Sequence, residues 1–152
     1  MNNLFYENAS VLIIGNEILS GRTIDKNFNY IATKLDEHGI SISESRTVSD
    51  SEEEIINAVN ELRKRFQYVF TTGGIGPTHD DVTAESIAKA FNVELEVNNE
   101  AYKILEDYYN NLGTEFNDVR QRMARIPKGS KLIKNQISAA PGFNIENVYV
   151  FA

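Results

Sequence analysis

The amino-acid sequence predicts an α/β protein with a three-layer αβα architecture, in which helices cover both faces of a mostly parallel sheet. Strand patterns alternate with helix patterns from residue 9 to residue 91, as they do in βαβ units. The segments 9–15 and 67–72 are the most continuously apolar, which is typical of parallel strands buried on both faces. A loop with glycine follows each segment. Ligands of such sheets bind beyond the carboxyl ends of the strands, so we expect the two loops to meet at one site.

The next two elements are predicted from periodicity. After the first strand, Phe28, Ile31 and Leu35 recur at helical spacing, and Gly39 is placed to end that helix in the left-handed conformation. Residues 40–48 alternate with serine and predict a second strand near an edge of the sheet.

Two helix starts are predicted from side chains that can cap free backbone amides. Ser51 and Glu54 match a capping box, and the helix that they open ends in the basic residues 63–65, which suit its dipole. After the third strand, Thr83 is a suitable N-cap for a helix that runs to Phe91.

The second half of the chain is less regular. A helix is predicted over residues 98–112, and a short helix over 117–125 is expected to stop before Pro127. Residues 131–133 and 148–151 are predicted to be the final strands. Three tyrosines of the longer helix are expected to pack in the core or in an interface: Tyr102, Tyr108 and Tyr109.

Length and composition limit the classes of function. A chain of 152 residues with 41% hydrophobic residues suits a single domain, residues 1–152, with its own core. The formal net charge of −7 argues against a nucleic-acid binder. The sequence contains no cysteine, which excludes disulfides, thiolate metal sites and cysteine nucleophiles. It shows neither a signal-peptide pattern nor a long apolar run, so we expect a cytoplasmic protein with no membrane partner.

The loop at 71–83 is the most informative segment. Three glycines within residues 73–76 let the backbone adopt positive φ and approach a ligand closely. Their amides, with those at the start of the next helix, could hold a phosphate or a pyrophosphate. A bare glycine-rich βα turn is the alternative interpretation, but such a turn has no need of the adjacent acids Asp80 and Asp81.

Carboxylates near this loop predict a divalent-cation site. Glu17, Asp80 and Asp81 could hold Mg²⁺, Mn²⁺ or Co²⁺ through hard oxygen atoms, with water in the remaining positions. A cation would reconcile the acids with a phosphate and activate water. Asp50 follows the second strand and either faces the same edge or caps the next helix. His79 is expected to be solvated, although its ordinary pKa would suit an acid or base.

A basic segment lies between Val119 and Lys134. It contains six lysines and arginines and no acid. It is either a solvated helix face with its following loop or a positive rim that attracts a phosphorylated ligand.

Four motifs in the same order resemble one known family. The residues Gly-Gly-Ile-Gly-Pro-Thr-His-Asp-Asp-Val-Thr at 73–83 resemble the signature of the MoaB/MogA-type molybdopterin-binding domain family, and are most like its CinA-like branch. The segments 15–21, 122–129 and 140–143 resemble other motifs of that branch. The domain that precedes FAD synthetase in eukaryotes is also similar. The resemblance extends over about residues 9–152 and implies the MoaB/MogA-like fold.

The resemblance implies two uses of the site. MoaB/MogA proteins bind molybdopterin and MogA-type members adenylylate it, with aspartates that match Asp50 and Asp81. The CinA-like branch instead implies a metal-dependent pyrophosphatase that cleaves ADP-ribose or a related nucleotide diphosphate. MogA-type loops carry basic residues where this chain has His79 and Asp80, which favours hydrolysis. A pterin- or nucleotide-binding module without catalysis remains an alternative. The predicted catalytic residues are Asp81, Asp80 and Asp50.

Assembly and ligand contacts also follow from the resemblance. MoaB/MogA relatives are trimers and CinA-like relatives are dimers, so a homodimer or homotrimer is expected. In CinA-like relatives the last strand runs into a Gly-x-Pro loop beside the pocket, whereas this sequence stops at Ala152. We therefore expect either that the sequence is truncated before this loop or that the protein lacks one wall of the pocket. The matching motifs place the ligand contacts at Gly15, Asn16, Glu17, Gly21, Thr72, Gly73, Gly74, Gly76, Pro77, Thr78, Thr83, Pro141 and Gly142.

Overall fold

The structure, a computed structural model, describes residues 7–152. Strands and helices alternate through its first half and become shorter in its second half. The elements follow the chain in the order β1 (Glu7–Ile14), α1 (Asn16–Leu19), α2 (Asn27–Glu37), β2 (Ile40–Val48), α3 (Glu52–Arg65), β3 (Tyr68–Thr72), α4 (Thr83–Ala90), β4 (Leu95–Val97), α5 (Asn99–Asn111), α6 (Asp118–Gln121), a 3₁₀ helix (Arg122–Ala124), β5 (Arg125–Pro127), β6 (Lys131–Ile133), β7 (Gly142–Ile145) and β8 (Val148–Phe151).

Six of the strands form one sheet in the order β2-β1-β3-β8-β7-β6. The pairs β2–β1, β1–β3 and β3–β8 are parallel, whereas β8–β7 and β7–β6 are antiparallel. β2 lies at the edge, as its alternating pattern predicts, and β1 and β3 are interior strands. The mostly parallel sheet confirms the predicted fold class.

Helices lie on both faces of the sheet. The connection from β1 to β2 through α2 moves toward one edge, and the connection from β2 to β3 through α3 moves back past β1. Because such crossovers are right-handed, α2 and α3 lie on opposite faces. The main core forms where α3 and α4 pack on the sheet, with buried Val59 and Ile87 facing Leu12, Val69 and Val150.

One face of β3 and β8 is only partly covered. Tyr68, Phe70, Tyr149 and Phe151 are half-buried there, and the rings of Phe70 and Tyr149 stack with centroids 5.3 Å apart. The prediction that residues 67–72 are covered on both faces is therefore wrong for this face. The same prediction is confirmed for β1, which is buried from its third residue to its end. A groove of about 580 Å³ lies between α2 and the rings of Phe70 and Phe151.

The predicted capping box is wrong. Ser51 is the N-cap of α3, but its side chain makes no capping hydrogen bond. The Glu54 carboxylate instead accepts from the backbone amide of Ser49 at 3.1 Å and from the Ser49 hydroxyl at 2.6 Å. Glu54 thus accepts two hydrogen bonds from Ser49, which follows β2, whereas in a capping box it would accept only one, from the amide of Ser51.

The second half contains a small sheet that the sequence pattern did not predict. β4 and β5 pair antiparallel, and each has only three residues, too few for an alternating pattern to stand out. Arg125 was predicted to be the last residue of a helix, but it is the first residue of β5. Tyr102 and Tyr109 pack on Phe116 with ring centroids 5.0 and 5.7 Å apart, as expected for packing residues.

Across residues 7–152, no helix has both the length and the apolar character needed to cross a bilayer.

Candidate functional site

Two glycine loops meet at the carboxyl ends of β1 and β3. Gly73 has a φ of +96°, and a Cβ at this position would lie 2.1 Å from the carbonyl oxygen of Ile14. The two backbones therefore touch, which only a residue without a side chain allows. The amide of Gly15 donates to the carbonyl of Val48 at 3.1 Å, which adds the end of β2 to the same junction. The predicted convergence of the two loops is confirmed.

The loop after β3 is fixed against the start of α4. Gly74 has a φ of +69°, and a Cβ here would lie 2.2 Å from Oγ1 of Thr83. The Thr83 hydroxyl donates to the carbonyl of Gly73 at 3.0 Å, and the Thr83 amide donates to the carbonyl of Gly74 at 3.0 Å. The N-cap prediction for Thr83 is wrong because this hydroxyl holds the loop; Val82 is the N-cap and Thr83 begins the helix.

Asp81 closes the turn between the glycine loop and α4. Its Oδ2 atom accepts from the backbone amide of Thr78 at 2.8 Å and from the Thr78 hydroxyl at 2.5 Å. A Cβ on Gly76 would lie 2.7 Å from the same oxygen, so glycine leaves room for the carboxylate. Asp81 also lines a small pocket together with Gly74 and Gly76. The hydrogen bonds from Thr78 thus fix the carboxylate of Asp81 at the wall of the pocket.

Asp50 joins the end of β2 to the loop after β1. Its Oδ2 atom accepts from the backbone amide of Asn16 at 2.8 Å, and the amide of Asp50 donates to Oδ1 of Asn16 at 3.4 Å. Ser51 occupies the N-cap of α3. Of the two interpretations of Asp50, the structure therefore supports contact with the motif loop and excludes the helix cap.

The remaining acidic candidates are exposed to solvent. The side chains of His79 and Asp80 are 97% and 67% exposed, which confirms that His79 is solvated. Glu17 is exposed in the first turn of α1. The neighbouring Thr78 hydroxyl lowers the pKa of Asp80 below its ordinary value, and a backbone amide adds to this effect.

The predicted three-carboxylate metal site is not assembled. Within residues 7–152, no group of three His, Asp or Glu side chains stands close enough to hold a metal ion. Asp81 is engaged by Thr78, and Glu17 belongs to the other loop. A cation at this junction would therefore need oxygen atoms from water and from a phosphorylated ligand to complete its shell, which is how Mg²⁺ is commonly held.

The small pocket lies between the glycine loop, α4 and β5. Four of the predicted residues line it: Gly74, Gly76, Asp81 and Pro141. Thr72 and Gly142 line the separate groove beside α2. The other predicted contacts lie in the adjoining loops or in the first turns of α1 and α4, and they line neither cavity: Gly15, Asn16, Glu17, Gly21, Gly73, Pro77, Thr78 and Thr83.

Sequence reasoning did not single out three charged residues of this pocket. Arg122 and Arg125 line it together with Glu85, which lies in the first turn of α4. Nη2 of Arg125 lies 2.9 Å from Oε1 of Glu85, and Nη2 of Arg122 lies 3.7 Å from the same atom. The run of basic residues at 119–134 indicates positive charge in this part of the chain, but its pattern does not show which side chains face the pocket.

The sequence matches the family model described as "Probable molybdopterin binding domain" over residues 10–151. The chain belongs to this family. Two similar proteins are a protein of Sulfurisphaera tokodaii, 44% identical over 138 residues, and a CinA-like protein of Citrifermentans bemidjiense, 42% identical over 135 residues. These matches cover 90% and 89% of this chain but only 52% and 33% of the relatives. The chain thus spans about half the length of the first relative and a third of the second.

Solved structures agree with the family assignment. A CinA protein of unknown function from Thermoplasma acidophilum superposes with a TM-score of 0.85 and 32% identity, over 95% of this chain and 86% of that chain. The tungsten cofactor synthesizing protein MoaB of Pyrococcus furiosus superposes with a TM-score of 0.57 and 20% identity, over 96% of this chain and 81% of that chain, and supports the fold alone. The resemblance to the MoaB/MogA-type family and to CinA-like proteins is confirmed.

Proposed function

We propose that this CinA-like molybdopterin-binding domain is a metal-dependent pyrophosphatase that acts on ADP-ribose or a related nucleotide diphosphate. The observation that supports the proposal is that the glycine loop after β3, which touches the end of β1, lines one pocket together with Asp81. Backbone amides at such a loop suit the oxygens of a diphosphate, and neighbouring carboxylates suit the cation that would accompany it.

Hydrolysis adds one water across the pyrophosphate bridge. The water oxygen bonds to one phosphorus, the bridging P–O bond breaks, and the leaving phosphate keeps the bridging oxygen, so ADP-ribose yields AMP and ribose 5-phosphate. In this proposal the amides of Gly74 to Gly76 hold non-bridging oxygens, and Asp81 accepts the proton of the attacking water. Because Glu17, Asp80 and Asp81 are not gathered into one cation site, a divalent cation would be held by Asp80 or Glu17 together with oxygen atoms of water and of the diphosphate. When bound, such a cation would neutralise phosphate charge and make water more acidic.

The test is product analysis after incubation with ADP-ribose. Reactions contain Mg²⁺, Mn²⁺, Co²⁺ or a chelator, and chromatography measures AMP. We expect AMP in the presence of at least one cation and none with the chelator. Tight binding without AMP under all four conditions would overturn the hydrolase and support a pterin- or nucleotide-binding module without catalysis.

A second candidate is the adenylylation of molybdopterin, and the family match favours the binding of that ligand. This reaction transfers AMP from a nucleoside triphosphate to the terminal phosphate of the pterin and releases pyrophosphate. It would use the same amides and Asp50 with Asp81 as the acids at the two loops. Incubation with molybdopterin and ATP separates the candidates, because only the second forms an adenylylated pterin.

A further inference from the structure

The wall of the small pocket opposite the glycine loop carries two arginines, Arg122 and Arg125, that share one carboxylate oxygen. Oε1 of Glu85 lies 2.9 Å from Arg125 and 3.7 Å from Arg122. The three side chains are 32% to 36% exposed, so they are partly shielded from water and remain accessible from the pocket. We call Arg122 and Arg125 the arginine pair.

The arginine pair is only partly neutralised. Two guanidinium groups carry two positive charges and Glu85 supplies one negative charge, which leaves a surplus of one. In the part of the chain that the structure describes, Nε of Arg125 is buried and has no hydrogen-bond partner. Buried donors are normally paired, because leaving one unpaired costs stability. An anion with several oxygens would supply the missing acceptor and the missing charge.

Different elements bring these groups together. Arg122 lies in the 3₁₀ helix, Arg125 begins β5, and β5 packs on α4. Glu85 is two residues beyond Thr83, whose hydroxyl and amide hold the glycine loop. The glycine loop, the arginine pair and Glu85 therefore line the same pocket.

The rest of the basic segment does not share this arrangement. Lys128 and Lys134 pair with surface carboxylates of Glu94 and Glu100. Arg120 lies over the ring of Tyr109, 4.6 Å from its centroid. Of the two interpretations of the basic segment, the solvated face therefore fits Arg120, Lys128 and Lys134. The positive rim fits only Arg122 and Arg125.

We infer that the arginine pair is a phosphate clamp of the pocket, and that Glu85 occupies it as a competing internal anion when no ligand is bound. The free volume of the pocket is about 20 Å³, enough for about one water molecule. A diphosphate held by the amides of Gly74 to Gly76 would therefore have to widen the pocket and displace the Glu85 carboxylate before its remaining oxygens reach the two guanidinium groups. Arginine suits this role because its planar fork binds phosphate oxygens in pairs. The inference rests on the proposed function for the class of ligand, a diphosphate, and is independent of the hydrolysis step.

The test measures the binding of inorganic pyrophosphate by calorimetry, in the presence of a chelator and at low ionic strength. We expect Arg122→Gln and Arg125→Gln each to weaken binding about 10- to 100-fold, the range for a lost charged hydrogen bond. Glu85→Gln should have the opposite sign and tighten binding several-fold, because it removes the competing anion. Lys131→Gln is the matched control: it removes one positive charge from an exposed position outside the pocket and should change the affinity less than about twofold.

A thermal melt of each variant accompanies the binding data. If Arg125→Gln fails to fold, Arg122→Gln and Glu85→Gln decide the question, because Arg122 is held less closely. Pyrophosphate affinities of the arginine variants that equal the wild-type value, or a Glu85→Gln variant that binds more weakly, would show that these ion pairs only fasten β5 to α4. Failure of the wild-type protein to bind pyrophosphate at millimolar concentration would also overturn the clamp. Absence of AMP formation from ADP-ribose bears on the proposed hydrolase alone.

Discussion

Asp50 and Asp81 each hold a loop in place by accepting hydrogen bonds from backbone amides. Asp50 binds the amide of Asn16, and Asp81 binds the amide and hydroxyl of Thr78. Each acid therefore has a structural role that is separate from any contact with a ligand. Substitutions at these positions have to be read with stability and turnover measured side by side.

The first prediction concerns the charge of Asp81. Asp81→Asn keeps an oxygen that can accept from Thr78, but it removes the negative charge that a cation or an attacking water needs. We expect the rate of AMP formation to fall about 10²- to 10⁴-fold and the response to metal to disappear. The loss of stability should stay below about 1.5 kcal/mol, because a hydrogen-bond acceptor remains. Steady-state turnover of ADP-ribose and a urea titration measure the two effects.

Asp36→Asn is the control for this prediction. Asp36 is exposed on α2 and lines neither cavity, so its loss of one negative charge should leave turnover unchanged. An Asp81→Asn variant with the metal-stimulated turnover of the wild type would remove Asp81 from the proposed site.

The second prediction concerns the contact between the two glycine loops. Gly73→Ala places a methyl group 2.1 Å from the carbonyl oxygen of Ile14 at a φ of +96°. We expect it to lower the free energy of unfolding by about 3 kcal/mol or more, since strain and overlap add. Gly113→Ala, at a φ of +65° with no atom within 4 Å, should cost only about 1 kcal/mol for the backbone conformation. Urea unfolding measures the loss of unfolding free energy in each variant. Equal losses would show that the two glycine loops can move apart without loss of stability.

At the scale of elements, an ion-pair network joins β2 to α3. Arg46 lies 2.6 Å from Glu44 and 2.8 Å from Glu61, and Arg65 lies 2.8 Å from Glu44. The hydrogen bond from Arg46 lowers the pKa of Glu44 and the pKa of Glu61 below their ordinary value of 4.5. Folding therefore favours the ionised carboxylates, and acid should weaken this connection.

The third prediction gives the direction of that pH dependence. A lowered carboxylate pKa adds stability that is present above 4.5, the ordinary value, and is lost as the pH falls through the lower value of the folded state. Arg46→Gln should lower the Tm by about 2–4 °C at pH 7, and the difference from wild type should shrink below pH 4.5. Thermal melts from pH 7 to pH 3 provide the measurement. A difference that stays constant over this range would show that Arg46 acts through packing, not through its charge.

Short elements show where sequence periodicity stops being informative. β1, β2 and α3 are each eight residues or longer, and their patterns predicted them within two residues. β4 and β5 have three residues each, and the residues of β5 were divided between a helix and a loop. An alternating pattern needs several residues to differ from chance, so β4 and β5 are defined by their pairing with each other, although β6, which also has three residues, was predicted correctly.

At the scale of the whole molecule, the partly covered aromatic face distinguishes one side of the sheet from the other. Phe70, Tyr149 and Phe151 stack along β3 and β8 beside the groove next to α2. The opposite face is closed by α3 and α4 over a continuous core. Parallel strands are usually covered on both faces, so this sheet is incompletely covered for its class.

The fourth prediction concerns assembly. We propose that the protein is a homodimer or homotrimer in solution, since an incompletely covered molecule has apolar surface to bury on association. Light scattering at tens of micromolar should give two or three times the chain mass of 17.1 kDa. A mass that equals a single chain at this concentration would contradict the proposal.

The sequence by itself determined the order of the long elements and the position of the two motif loops. Apolar periodicity and glycine act locally: buried parallel strands need apolar runs, and positive φ needs glycine, as Gly73 and Gly74 show. Tertiary structure decided which side chains meet. It turned the hydroxyl of Thr83 toward the glycine loop. It also brought Arg122 and Arg125 to Glu85 of α4, although β4 and α5 separate these residues along the chain. Such pairings depend on how separate elements pack, and spacing along the chain contains no record of that geometry.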